Sequence, residues 1–110
     1  MDAAAELVEL LGAARVHTHP IDRRIFAKDA GVSVGDPAII VLPETTEEVA
    51  AAVRVAAVAA MPVVARGAGT GLAGGAVPAP GSIVVVLTRR NEIHEVDEIG
   101  RTAWVGPGVI

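Results

Sequence analysis

Between two apolar runs, PVVA at 62–65 and SIVVVL at 82–87, the chain reads RGAGTGLAGG, five glycines in ten residues (66–75) behind a single cation. Glycine loses more conformational freedom on ordering than any other residue, so a run this dense needs a reason for bare backbone. The run also limits the fold. It cannot be the interior of a helix or strand, and Pro78, Pro80 and Gly81 stop a helix from starting behind it. It is a loop that leaves one strand and reaches the next without a helix.

Two phosphate motifs come close and fail. Gly69-Thr70-Gly71-Leu72-Ala73-Gly74 fits G-x-G-x-x-G literally. The dinucleotide fingerprint, however, needs a helix to begin there, because the pyrophosphate rests on that helix's N-terminus. A P-loop needs a lysine after its glycines, and none follows. What remains is a nest, in which consecutive N–H groups converge on an anion without a helix dipole. Small residues at Ala68, Ala73 and Ala76 leave room for a ligand against the main chain. The alternative, a tight crossover with no ligand, stays open at this level.

The flanking sequence supplies an α/β frame. Residues 3–12 have the period of an amphipathic helix, with Ala4, Leu7, Val8 and Leu11 on one face and Gly12 as its stop. Residues 13–37 are irregular, with a short helix around 22–29. The run AIIVL (38–42), closed by Pro43, suits a strand buried on both faces. Thr45 and Glu48 form a capping box ahead of a helix carrying Val49, Val53, Ala56 and Ala60, which Pro62 ends. Strand, helix, strand at this spacing predicts a right-handed βαβ unit with a small parallel sheet. IHEV and TAWV read as two further strands around the turn Ile99-Gly100-Arg101. The chain divides into an N-terminal helix and lead-in (1–37) and the βαβ part (38–110).

Composition narrows the function. At 110 residues there is room for one small domain, and 52% hydrophobic residues suffice for a core. That core is aliphatic, since Phe26 and Trp104 are the only aromatics. A net charge of −4 argues against a nucleic-acid partner. No cysteine is present, which removes disulfides, thiolate metal sites and a cysteine nucleophile. The apolar run between Arg54 and Arg66 contains Pro62 and is shorter than the ~20 residues a bilayer span needs, so a soluble, cytoplasmic protein without a transmembrane segment is expected. The chain stops at WVGPGVI, which reads as a sequence cut inside an element, the N-terminal piece of a longer protein. His17-x-His19 lacks a carboxylate partner in register and makes a poor metal site, and His94 reads as a solvent-facing strand residue. No catalytic constellation and no metal site stand out.

Five ordered blocks carry a resemblance: Val41 to Val49 (strand, Pro43, Thr45, Glu47-Glu48-Val49), Pro62-Val63-Val64, Arg66 to Gly75, Arg90-Asn91-x-Ile93, and Val105 to Val109. Together they resemble the first part of the FAD-binding domain of flavoproteins of the vanillyl-alcohol oxidase and p-cresol methylhydroxylase type. The nearest branch is that of D-lactate dehydrogenase and the flavin subunit of glycolate oxidase. The resemblance implies the first subdomain of that FAD-binding domain. It implies a loop around the FAD pyrophosphate made by Arg66, Gly67, Ala68, Gly69, Thr70, Gly71, Leu72, Gly74 and Gly75, and a second backbone contact to the flavin at Gly108. Arg66 acts there by charge or by fixing the loop, or is a surface cation after a strand. Thr70 stands where covalent relatives carry a histidine, which implies non-covalent FAD. The implied activity of the whole protein is oxidation of a small 2-hydroxy acid, of the D-lactate or glycolate class, with an electron-acceptor partner or companion subunits. The substrate domain and its catalytic residues lie outside this chain. A flavin-dependent alkyl transferase of ether-lipid synthesis and a non-enzymatic nucleotide-binding module are the alternatives.

Overall fold

The computed structural model describes residues 2–110. Two helices come from the N-terminal segment, α1 (Ala3–Leu11) and α2 (Pro20–Ile25), with the short strand β1 (Val16–His17) between them. Then follow β2 (Ile39–Val41), α3 (Thr46–Val58), β3 (Val63–Arg66), β4 (Ile83–Val86) and the pair β5 (Ile93–Asp97) and β6 (Thr102–Val105). A four-stranded sheet has the order β1-β2-β4-β3, with β2, β4 and β3 parallel and β1 antiparallel at one edge. β5 and β6 form a separate antiparallel pair.

The continuous apolar runs become the two central strands, since β2 and β4 are buried along their whole length. Alternate residues serve opposite faces of the sheet. Ile39, Val41, Ile83 and Val85 pack with Leu7 and Leu11 of α1 and Ala52, Val55 and Ala56 of α3. Ile40, Val84 and Val86 point the other way, where Phe26 and Leu42 cover them. The residues before 38 therefore belong to the same core. α1 packs on α3, and β1 extends the sheet in register with β2. The two strands joined by α3 are not neighbours, because β4 is inserted between them.

The helix start at Thr45 has a different geometry from a closed capping box. Thr45 Oγ1 accepts the Glu48 N–H at 3.1 Å, as such a box requires. The Glu48 carboxylate, however, accepts the Glu44 N–H at 2.7 Å and a two-pronged bond from Arg15. His19 caps α2, its Nδ1 accepting the Ile21 N–H at 3.2 Å, and His17 Nδ1 lies 3.9 Å from Asp22. No helix among the described residues is long and apolar enough to cross a membrane.

Candidate functional site: a loop at the carboxyl ends of the strands

β3 and β4 run parallel as neighbours, so the chain must cross over between them. Here residues 67–82 make the crossover without helix or strand. Segments this long with no regular structure are uncommon in small domains and usually functional. The glycine run leaves the carboxyl end of β3. Residues 87–90 leave the carboxyl end of β4, and the turn at 106–108 packs on them, Gly108 N–H donating to the Arg90 carbonyl at 2.9 Å. A Cβ built on Gly67 would lie 3.9 Å from the Pro107 carbonyl, so the loop and this turn adjoin. Open α/β sheets bind ligands in this place, outside the carboxyl ends of their strands.

Apart from that of Gly74, the N–H donors of the glycine run beyond Arg66 are free. Among the described residues, no N–H from Gly67 through Ala73 donates to a backbone or side-chain acceptor, and neither does that of Gly75. Ala68, Thr70, Gly71, Leu72, Ala73 and Gly75 are exposed. Gly71 and Gly75 have nothing within 4 Å of a built Cβ, and neither has a positive φ. Nothing in the chain itself requires glycine there. Bare backbone with unused donors is what a bound diphosphate needs, so the residues fit the group the sequence implies.

Other positions are bare for internal reasons. At Gly69, with φ +73°, a Cβ would collide with the Arg66 guanidinium. At Gly108 it would run into the Leu87 carbonyl, and at Gly106 into that of Arg90. The Gly108 N–H is bonded to the Arg90 carbonyl, and its lack of a side chain is needed for backbone packing against Leu87. Gly74, φ +86°, likewise gives its N–H to Asp29.

Arg66 is only 9% exposed, which removes the surface-cation reading. Its Nη1 donates to the Lys28 carbonyl at 2.7 Å, and its guanidinium stacks 5.2 Å from the Phe26 ring centroid, within the range of a cation–π contact. Burial pushes its pKa down, and the Asp29 carboxylate opposes that shift. An arginine remains charged nonetheless. It fixes Gly69 from the protein side.

The expected helix around 22–29 is instead α2 at Pro20–Ile25, and residues 26–31, which hold all this, are irregular because their polar groups bond to the loop rather than along a helix. The local Asp29-x-Gly31 turn, in which Asp29 Oδ1 accepts the Gly31 N–H at 2.7 Å, was their one visible signal.

Fold and site together define a small α/β module, a mixed sheet whose parallel neighbours β3 and β4 are joined by a glycine-rich loop in place of a crossover helix. The chain belongs to the FAD binding domain family, whose profile matches residues 37–110. It is 45% identical over 73 residues to the glycolate oxidase subunit GlcD of Escherichia coli K12, a match covering 66% of this chain and 15% of that protein. It is 44% identical over 71 residues to the D-lactate dehydrogenase of Archaeoglobus fulgidus, covering 64% and 16%. The structure of p-cresol methylhydroxylase with substrate bound superposes with a TM-score of 0.85 at 25% identity, covering 97% of this chain and 22% of that one. The chain thus spans less than a quarter of the proteins it matches. FAD is the cofactor of this domain family.

Proposed function

We propose that the whole protein is a flavin-dependent oxidoreductase acting on a small 2-hydroxy acid, with D-lactate and glycolate as the leading substrates. In it residues 66–75 would hold the FAD diphosphate. The observation that carries the second statement is the unbroken run of unused N–H donors from Gly67 to Ala73 at the carboxyl ends of β3 and β4. The names of the relatives support the first: a glycolate oxidase subunit, D-2-hydroxyglutarate dehydrogenases and a D-lactate dehydrogenase.

Each part of the loop has a separate task. The N–H groups of Gly67 to Ala73 and of Gly75 donate to phosphate oxygens. Gly71 and Gly75 let the backbone approach. Arg66 and Gly74 fix the two ends, and Gly108 brings the 106–108 turn against the 87–90 turn beside Gly67. Thr70 is exposed and offers a hydroxyl rather than a ring nitrogen, so FAD at this loop is held without a covalent bond. The bound flavin supplies a hydride acceptor for the carbon bearing the substrate hydroxyl; the protein positions it. The electrons then leave to an acceptor or a companion subunit, as the word subunit in the glycolate oxidase relative suggests.

The test is made on the full-length protein. Purified, it should carry flavin that acid precipitation releases intact, and it should reduce an artificial electron acceptor when given D-lactate or glycolate. Protein that binds neither FAD nor ADP leaves the module a non-enzymatic one with a tight loop. Protein that holds FAD but oxidises no 2-hydroxy acid retains the cofactor reading and loses the substrate class.

A further inference from the structure

We propose that Asp29 is a positioning residue for the cofactor: a buried carboxylate, far upstream in sequence, that holds the glycine loop in its ligand-ready shape. The proposal rests on the FAD reading above. Asp29 is 5% exposed. Its Oδ2 accepts the Gly74 N–H at 2.9 Å, while Oδ1 accepts that of Gly31 at 2.7 Å. Its neighbours in sequence hold the loop too. The Ala30 N–H donates to the Gly71 carbonyl at 3.0 Å, and the Lys28 carbonyl accepts from Arg66 at 2.7 Å. Three consecutive residues, 28–30, thus tie the loop at its beginning, middle and end, at Arg66, Gly71 and Gly74. The free donors lie between and around those ties.

The charge of Asp29 makes the assignment sharper. Among the described residues no cation lies within salt-bridge distance of it, although the Arg66 charge acts on it at longer range. A carboxylate close to a diphosphate site is electrostatically unfavourable for the ligand. Its presence there is explained by what its two oxygens do: each holds a different N–H, so in this geometry both ends of the side chain must accept. An asparagine has the same shape but offers one acceptor and one donor group. In Asp29→Asn, either Gly31 or Gly74 therefore loses its partner and meets an N–H instead.

The two possible roles predict opposite signs. If Asp29 only contributes charge, its neutralisation tightens binding of a dianion. If it positions the loop, the same change weakens it. The experiment compares wild type and Asp29→Asn in the full-length protein by titrating the apoprotein with FAD, ADP and riboflavin, and by following hydrogen exchange in the peptide covering residues 67–76. The expected result is about tenfold weaker FAD and ADP binding, the size of one lost hydrogen bond to a charged group. Riboflavin, which lacks the phosphates, binds unchanged, and exchange in 67–76 speeds up while that of β4 does not. Unchanged or tighter FAD binding by the variant overturns the proposal. So does a parallel loss for all three ligands with faster exchange in β4, which marks a general loss of fold. If the wild type itself binds neither FAD nor ADP, the cofactor reading falls and this role with it, an outcome distinct from wild-type binding that the variant leaves intact.

Discussion

The glycines of the loop look alike in sequence and are not equivalent in the structure. Gly69 has a positive φ and lies against the Arg66 guanidinium, so a side chain there is strained before any ligand arrives. Gly71 has an ordinary φ and open space. Gly71→Val should therefore leave thermal stability nearly unchanged and weaken FAD and ADP by about tenfold or more, since the added methyls stand where the phosphates approach. Gly69→Val should lower stability by about 1–3 kcal/mol and lose binding as a consequence. Thermal denaturation beside ligand titration separates the two. A Gly71→Val protein that binds FAD as well as wild type would move the diphosphate away from the loop.

At the scale of elements, the start of α3 is held by charge as well as by its cap. The bond from Arg15 is the largest cause that takes the Glu48 carboxyl from its ordinary 4.5 down to about 2, with the Glu44 N–H next. Because the folded-state value is depressed, the unfolded chain binds the proton first. The stabilisation is complete above about pH 4.5 and is lost as pH falls toward 2. Urea denaturation from pH 6 to 2.5 should show this loss in the wild type, and Glu48→Gln should flatten the part of the curve it causes. At neutral pH that substitution should cost about 1–3 kcal/mol.

What sequence reveals at this scale depends on whether the cause is local. The Thr45 cap, the buried runs of β2 and β4, and the β5–β6 turn each follow from residues close together in the chain. β1 is too short to show a period, and its place beside β2 comes from pairing across the sheet. The ties from residues 28–30 to the loop are long-range in the same way: Asp29 and Gly74 are far apart in sequence, and nothing in either stretch alone names the other. The glycine loop itself is therefore legible in the sequence, and its fastening to residues 28–30 is not.

Across the whole molecule, burial is unevenly distributed, and stability should follow it. β4 lies between two parallel partners and is buried throughout, whereas every residue of β5 and β6 is exposed. The register puts Ile93 opposite Val105 and Val96 opposite Ala103, and the irregularity between Ile93 and Glu95 lets those pairs share one side. Glu95 with Trp104 and Asp97 with Thr102 occupy the other. Directly opposed residues share a face, so the pair of strands has an apolar side with no partner among the described residues. A two-stranded sheet without a packed face is marginal in water. In the 110-residue chain, hydrogen exchange should be slowest in β2 and β4, at the global unfolding free energy, and fastest in β5 and β6. Trp104, the single tryptophan and 73% exposed, should emit like an indole in water. The cofactor acts on the remaining level of this gradient. Its phosphates would engage the free amides at 67–73, slowing exchange there, and binding to the folded state alone would raise the melting temperature with FAD concentration. Riboflavin should do neither through the loop. Equal protection by riboflavin would show that the isoalloxazine, rather than the diphosphate, is what the glycine backbone holds.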